Sequence, residues 1–301
     1  MQKSHKKQRI TALVGKDRTH GISEKHLRSG IRGCTLGGMR IHVLAENTSC
    51  SPEMEAEHGL SLLIETDGKQ ILFDTGASPL FAANAARLGQ NMAAVKIAIL
   101  SHGHYDHGGG LAHFLSINTH APVWVSPHAF DRHFNAQGKD IGIAPHLQRH
   151  PRIITAPERV AELAPGITLH PACSVPTPYP PTDTGMSACV QGHTGPDDFR
   201  HEQYLLIEED GLRYLFSGCS HRGILNIAVH FRADVLIGGF HFMKLDARAD
   251  ANLLTQAASV LHTLPTRYFT GHCTGAPAFQ FLKEHLGGQL QAITTGQTLN
   301  F

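Results

Sequence analysis

Short runs in which apolar and polar residues alternate occur along the chain from Met39 onward, and two pairs of these runs are joined by Asp-Gly. GLSLLIET and KQILFDTG meet at Asp67-Gly68, and EQYLLIEEDGLRYLFSG contains the second pair at Asp210-Gly211. An Asp-Gly pair between two such runs is a strong indication of a β-hairpin. The repeated design predicts two similar halves.

Helical patterns occur in both halves. In SPLFAANAARLG, Ser78 is the expected N-cap, Pro79 the first helical position and Gly89 the end of the helix. Further helices are predicted for GLAHFLSI, ARADANLLTQAASVLHTL and APAFQFLKEHLG, and further strands for MRIHVLAEN, VKIAIL, APVWVS, ITLHPACS, ADVLIGGFHF and TRYFTGHC. Hairpin-rich strands followed by strand-helix alternation, occurring twice, predict an α/β fold of two mixed sheets packed face to face with helices outside, an αββα sandwich.

One long stretch, VPTPYPPTDTGMSACVQGHTGPDDFR, interrupts this pattern. It is too rich in Pro, Gly and Thr for a regular element, and it is longer than an ordinary connection. Long connections of this kind are often covers over active sites. We therefore expect residues 175–200 to be irregular and to cover a site.

Length and composition favour a globular protein, because 301 residues with 41% hydrophobic content can bury a sizeable core. No run of 18 apolar residues is present, and the N-terminal segment lacks the apolar centre of a secretion signal. The six cysteines are scattered, which is typical of reduced thiols. We expect a cytoplasmic protein with no membrane partner.

The charge divides the chain into two parts. Residues 1–40 hold ten Lys and Arg against two Asp and Glu, a net charge of +8, and the remainder holds sixteen against 23, a net charge of −7. Because the basic segment shows no sustained apolar periodicity, residues 1–38 are predicted to be a disordered extension and residues 39–301 the folded domain. The extension has no interleaved aromatic residues, so no nucleic-acid partner is expected.

Histidine is the anomaly of the composition, with 23 copies, and it concentrates in SHGHYDHGGG behind the predicted strand VKIAIL. Side chains at i and i+2 of an extended segment point the same way, so His102 and His104 can face one ion. Beyond the turn at Tyr105, Asp106 and His107 can reach a second ion. Imidazole nitrogens suit zinc, and a carboxylate adds negative charge.

This spacing resembles the signature of the metallo-β-lactamase superfamily, and the resemblance covers residues 39–301. It implies the αββα fold predicted above. It also implies that Asp74, in ILFDTG, supports the metal site from behind its ligands, and that His272, in YFTGHCTG, is the last histidine ligand. Cys219, in YLFSGCSHRGILN, stands where the family has a metal-bridging aspartate, which is a departure.

Four further motifs, EHGLS, SGCSHRGILN, GGFHF and GHCTG, resemble the branch of the superfamily called dihydropteroate-synthase-like. That branch includes an archaeal enzyme that joins a pterin-methyl diphosphate to a ribofuranosylaminobenzene phosphate in methanopterin synthesis. The motifs imply membership of the branch and leave the substrate open.

Two histidines are candidates for the third ligand of the first ion. His193, in GHTG, is similar to the family's usual third-ligand motif and precedes Cys219 by 26 residues. His221 lies two positions beyond Cys219, where Gly218 and Gly223 allow the chain to curl. We expect His221 to be the ligand, because His193 lies inside the irregular stretch.

The remaining candidates have two interpretations each. Cys219 is either a thiolate ligand, which favours zinc, or a small buried residue beside the site. His241, which follows a Gly-Gly strand end, is either a catalytic residue or a core histidine. His58 and Asn47 match branch motifs near the first strands, and His58 is a further catalytic candidate.

The other histidines singled out are expected to be ordinary surface or packing residues: His113, His120, His133, His150 and His262. Cys273 is expected to face away from His272, because neighbours in an extended segment point to opposite sides.

Two divalent ions, zinc first with Mg, Mn or Fe as alternatives, are the expected cofactors. Such ions lower the pKa of a bound water to about 7 and stabilise charge on a leaving diphosphate. Asp106 would orient that water, and His241 would give a proton to the leaving group. The substrate is expected to be a small molecule, and the resemblance favours a transferase of the dihydropterin-methyl and aminobenzene type or a relative that acts on a phosphorylated heterocycle. The alternatives are hydrolysis of an ester, lactone or phosphoester, and a metal-binding module without catalysis.

Overall fold

The computed structural model describes residues 38–182 and 185–301. The predicted basic extension lies outside the described residues, apart from Gly38. The domain limits therefore stay a prediction.

The described residues form seventeen strands and six α-helices, which alternate as the sequence patterns indicate. In chain order they are β1 Arg40–Ala45, β2 Ser61–Thr66, β3 Lys69–Phe73, α1 Leu80–Arg87, β4 Ile97–Ile99, α2 Tyr105–Gly108, α3 Leu111–Ile117, β5 Val123–Val125, β6 Arg132–Phe134, β7 Ile153–Thr155, β8 Ala161–Ala164, β9 Ile167–Pro171, β10 Ser187–Val190, β11 His193–Pro196, β12 Gln203–Glu209, β13 Leu212–Phe216, α4 Ile224–Phe231, β14 Val235–Ile237, α5 Ala251–His262, β15 Arg267–Thr270, α6 Ala276–Leu286, β16 Leu290–Ala292 and β17 Thr298–Asn300.

Two seven-stranded sheets hold most of the strands. The first has the order β17-β1-β2-β3-β4-β5-β7, and the second has the order β16-β15-β14-β13-β12-β9-β8. Each contains one predicted hairpin, β2-β3 or β12-β13, followed by parallel strands. Asp67 and Asp210 both have positive φ, as do the glycines after them, which is the backbone that a two-residue hairpin turn requires.

Three layers of buried apolar residues confirm the αββα sandwich. Along β12, Leu205 and Ile207 point into the layer between the two sheets, and Leu206 points the other way, into the layer that α4, α5 and α6 cover. Along β2, Leu62 and Ile64 join the central layer, whereas Leu63 joins the layer under α1 and α3. Successive side chains of a strand point to opposite faces of its sheet, and both faces of each sheet are covered. The strands therefore contribute side chains to all three layers.

The stretch expected to be irregular contains regular structure, so that prediction was wrong in part. Within residues 175–200, β10 and β11 form a hairpin, and β6 pairs with β10 to complete a three-stranded sheet. The turn at Gln191-Gly192 has positive φ at both positions. A Gln-Gly turn is a weaker pattern than Asp-Gly, and strands of four residues are too short to show a clear alternation.

None of the described helices has the length and apolarity to cross a bilayer. The longest of them, α5, has 12 residues.

Truncation of a side chain in the central layer should weaken both sheets at once. Leu205→Ala removes a fully buried side chain between the sheets, so we expect the free energy of unfolding to fall by about 2–5 kcal/mol. Leu212→Ala, at a position on β13 that is 37% exposed, serves as the control and should change it by less than about 0.5 kcal/mol. Urea denaturation of both variants measures the difference, and an equal effect would contradict the central position of Leu205.

Candidate metal centre

Most of the residues predicted to bind metal or to act in catalysis lie at the carboxyl ends of parallel strands from both sheets. The His102–His107 segment follows β4 in the first sheet, whereas Cys219, His241 and His272 follow β13, β14 and β15 in the second. Ligand sites commonly form beyond the carboxyl ends of parallel strands. The topology therefore brings candidate ligand side chains from distant parts of the chain to one place.

Three buried histidines form the first group. The side chains of His102, His104 and His221 offer ligand atoms that lie within 4.8 Å of one another. Burial lowers the pKa of all three rings well below the usual value, so the rings are neutral and carry free lone pairs. His102 Nε2, His104 Nε2 and both ring nitrogens of His221 are buried without a hydrogen-bond partner.

A second group lies beside the first and contains a carboxylate. His272 Nε2 lies 3.3 Å from Asp106 Oδ2 and 3.2 Å from His107 Nε2. His58, whose side chain is 45% exposed, brings its Nε2 to 3.4 Å from the same Asp106 oxygen. Asp106 is held ionised, because the neighbouring His272 and His107 outweigh burial and lower the pKa of its carboxyl.

Cys219 lies between the two groups. Its Sγ is 3.0 Å from His107 Nε2, and it shares a cluster with His102 and His107. Burial raises the pKa of the Cys219 thiol, so a cation beside the sulfur is needed to ionise it. This position places Cys219 beside the candidate ligands, as both interpretations of the residue require.

Asp74 lies behind His107, as the family resemblance implies. Its Oδ1 accepts a hydrogen bond from the Ser101 amide at 2.6 Å, and its Oδ2 accepts from Ser101 Oγ and from His107 Nδ1, both at 2.7 Å. Burial opposes a charge on His107, but Asp74 outweighs it and raises the pKa of the ring to about 9. The carboxylate thus fixes Nδ1 as the donor and turns Nε2 toward the other ligands.

His272 is held in a similar way by the segment after β1. Its Nδ1 donates to Asn47 Oδ1 at 2.9 Å, and its backbone amide donates to the buried Glu46 carboxylate at 2.6 Å. Asn47 therefore orients a candidate ligand. Glu46 was not found by sequence reasoning, since nothing local to it indicates a partner 226 residues away.

Glu202 holds the loop that carries His221. This buried carboxylate accepts hydrogen bonds from the His221 amide at 2.6 Å, from the Arg222 amide at 3.1 Å and from the Tyr204 hydroxyl at 2.7 Å. Burial raises the pKa of Glu202 to about 7. Sequence reasoning missed Glu202 as well.

Of the two candidates for the third ligand, only His221 is brought together with His102 and His104. His193 is exposed on β11 and lies in none of the clusters of potential metal ligands found among the described residues. His113, His120, His150 and His262 also lie outside those clusters, at exposed or half-buried positions.

His241 is buried next to the first group. Its ring centroid lies 4.2 Å from that of His221, and neither of its ring nitrogens has a hydrogen-bond partner. Together with the sulfurs of Cys219 and Cys273 it forms a further cluster. The side chain is therefore free to act on a molecule bound at the site.

Cys273 lies at the centre, so the expectation that it faces away was wrong. The segment His272–Thr274 is a 3₁₀ turn, in which neighbouring side chains do not alternate as they do in a strand. Cys273 Sγ lies 3.5 Å from the Cys219 carbonyl oxygen, and a Cβ on Gly239 would come within 2.3 Å of that sulfur.

A third cluster was missed by sequence reasoning. His133, expected to be an ordinary residue, is buried and lies 3.0 Å from Asp197 through its Nδ1, and His201 Nε2 is 3.3 Å from the same oxygen. His201 Nδ1 accepts the Gly103 amide hydrogen, so the proton of this neutral ring is on Nε2 and faces Asp197. The cluster is therefore a hydrogen-bonded support for the His102–His104 backbone.

Backbone strain is concentrated at the same place. Asp74, Ser220, His241 and His272 all have φ between 49° and 61°. Such conformations cost non-glycine residues of the order of 1–3 kcal/mol each, and they persist where the surroundings impose them. Their placement at four strand ends is typical of a functional site.

The donor set fits divalent metal ions. Buried ring nitrogens without partners face one another in the first group, and nitrogen, oxygen and sulfur donors crowd within about hydrogen-bond distance in the second. The first-group nitrogens make no hydrogen bond with one another, and a cation between them would accept their lone pairs.

Comparison with known proteins agrees with this geometry. A curated relative from Methanocaldococcus jannaschii, named 7,8-dihydropterin-6-methyl-4-(beta-D-ribofuranosyl)-aminobenzene-5'-phosphate synthase, is 28% identical over 300 residues, covering 88% of this chain and 98% of the relative. The solved structure of Tm1679, described as a metal-dependent hydrolase of the beta-lactamase superfamily, is 28% identical with a TM-score of 0.76, covering 87% of this chain and 99% of that one.

A more distant structure, Zn(2+)-bound PqqB from Methylobacterium extorquens, shares the fold at 13% identity and a TM-score of 0.53, covering 87% of this chain and 100% of that one. The family model described as the metallo-beta-lactamase superfamily matches residues 55–257, well over half of the chain. The chain therefore belongs to the metallo-beta-lactamase superfamily.

Proposed function

We propose that the chain holds two divalent ions, with zinc as the preferred metal. His102, His104 and His221 would hold the first ion, and Asp106, His107 and His272 the second, with Cys219 between them. The observation that carries the proposal is the first group, in which buried ring nitrogens of His102, His104 and His221 have no hydrogen-bond partner and ligand atoms of the three rings lie within 4.8 Å of one another. Nitrogen and sulfur donors favour zinc over Mg²⁺, which prefers oxygen, and Asp106 is the one oxygen donor in this set.

We further propose that the enzyme is a transferase that joins a pterin-methyl diphosphate to an aromatic amine. The support is the M. jannaschii synthase, because the match covers nearly the full length of both chains. In this reaction the amine nitrogen bonds to the methylene carbon, the carbon-oxygen bond breaks, and its electron pair leaves with diphosphate. The amine then gives up one proton. The bound ions would supply positive charge that stabilises the diphosphate.

Two histidines can carry the proton transfers. His241 is buried with both ring nitrogens free, which suits donation to the leaving oxygen. Burial and the neighbouring His272 lower the pKa of His58, so its half-exposed ring is neutral and can accept the proton that the amine loses. Asp106, 3.4 Å from His58, would hold the ion nearest to that transfer.

A metal-dependent hydrolase is the second candidate. The observation in its favour is the likeness to Tm1679, which is described as a hydrolase. Water would then replace the amine as the nucleophile, and Asp106 would orient it. A metal-binding module without catalysis has less support, because no ligand is missing from the set His102, His104, Asp106, His107 and His272.

Metal content tests the ligand assignment directly. The wild-type protein should bind two divalent ions per chain, and His104→Ala should reduce this content sharply because it removes a donor from the first group. His193→Ala is the control and should keep both ions, since His193 is exposed on β11. Elemental analysis after gel filtration measures both, and undiminished metal in His104→Ala would remove His104 from the ligand set.

In this assignment Asp74 orients His107 and does not contact an ion. Its loss should therefore reduce metal binding less than the loss of a ligand such as His104. We expect Asp74→Ala to lower metal affinity or activity by about 10–100-fold, because His107 loses the acceptor that orients it. Glu53→Ala, an exposed carboxylate, should have no effect. Competition with a chelator measures the affinities, and wild-type affinity in Asp74→Ala would contradict the orienting role.

Release of diphosphate separates the two reactions. A transferase should release diphosphate from a pterin-methyl diphosphate only when an aromatic amine is present, because the ordered amine has the proximity advantage and water is kept out. His221→Ala should abolish the release by disturbing the first ion. Equal release with and without the amine identifies a hydrolase, and no release in either case contradicts the pterin assignment.

A further inference from the structure

An apolar pocket is lined partly by the loops that carry His221 and His241, and none of the candidate metal ligands lines it. Its volume is about 360 Å³, and its walls come from three places: the segment 179–182, the start of α4, and α5 with the loop before it. This volume is within the range of small-molecule sites, which is about 300–1,000 Å³.

Two of its lining residues lie on the loops that carry His221 and His241. Gly223 lies two residues beyond His221, and Phe242 follows His241. The rings of these two histidines are 4.2 Å apart. The loops that hold the candidate ligand His221 and the candidate catalytic residue His241 therefore also form part of the pocket wall.

The wall formed by the segment 179–182 is anchored by residues of the SGCSHRGILN motif. The Asn226 side chain accepts the Tyr179 amide hydrogen at 2.9 Å and donates to the Tyr179 carbonyl at 2.8 Å. The Arg222 guanidinium donates to the carbonyls of Val175 and Asp198. These contacts give a function to motif residues that the metal site does not use, and they form the pocket before any ligand binds.

The polarity of the lining residues determines which kind of ligand the pocket can bind. Three of the twelve lining residues, Tyr179, Thr182 and Gln256, have a polar side chain, and none of the twelve is charged. A pterin carries many donors and acceptors, and burying them without partners costs free energy. A benzene ring carries none and fits even an engineered cavity of about 150 Å³.

We propose that this pocket binds the aromatic ring of the amine substrate and directs its nitrogen toward the metal centre. The proposal rests on the transferase function and adds to it the place of one substrate. Leu253, on the rim, is 41% exposed, which leaves an apolar surface for a substituent of the ring to cover. The pterin then binds on another side of the centre.

Filling the pocket tests the proposal. Gln256 lines it and is exposed, so Gln256→Trp should occupy the space without unfolding the protein. We expect the variant to bind the uncharged amine 4-methylaniline at least about tenfold more weakly than wild type, and 6-hydroxymethylpterin equally well. Thr255→Trp, an exposed neighbour on α5 that does not line the pocket, is the control and should bind both compounds like wild type.

Isothermal titration of the metal-loaded proteins measures both affinities, with metal content and thermal midpoint checked in each variant. Absence of saturable 4-methylaniline binding in the wild type, equal binding by Gln256→Trp, or loss of the pterin in place of the amine would overturn the proposal.

Kinetic measurements distinguish failure of the pocket assignment from failure of the proposed transferase function. If diphosphate release requires the amine but Gln256→Trp leaves the KM for the amine unchanged, the pocket assignment fails and the transferase remains. If release is independent of the amine while 4-methylaniline binding still responds to Gln256→Trp, the pocket remains a ring site and the transferase fails.

Discussion

Buried carboxylates that accept hydrogen bonds from the loops at the strand ends are the interaction on which this centre depends. Asp74 holds Ser101 and His107, Glu46 holds the His272 amide, and Glu202 holds the His221 amide. Asp197 acts through His201 on the backbone between His102 and His104. Each acid is buried and accepts hydrogen bonds from protein donors. The lone pairs of the histidines therefore remain available to a cation.

The fold was predictable because its determinants are local. Asp67-Gly68 and Asp210-Gly211 fix two hairpin turns, and the period-two pattern of strands such as β12 assigns each side chain to a layer. The spacing of His102, His104, Asp106 and His107 is local too, and the resemblance that it carries led to Asp74, Cys219 and His272.

What sequence reasoning missed depends on contacts between distant segments. Glu46, Glu202 and His201 act on backbone amides that lie between 19 and 226 residues away, and a lone acid or histidine at the end of a strand gives no indication of this. Cys273 was misplaced because a strand pattern was extended into a 3₁₀ turn. The β10-β11 hairpin was hidden in a segment whose proline and glycine content favours irregular backbone.

The candidate ligands come from both sheets, since the His102–His107 segment follows β4 of one and Cys219, His221 and His272 follow strands of the other. Each of the two proposed ions would take ligands from both sheets, so each would be a cross-link between the two halves of the sandwich. By mass action, a ligand that binds only the folded chain at a hundred times its dissociation constant adds about 2.7 kcal/mol to stability. The lifetime of the folded protein in a cell, and its exposure to proteases, would then follow the supply of free metal.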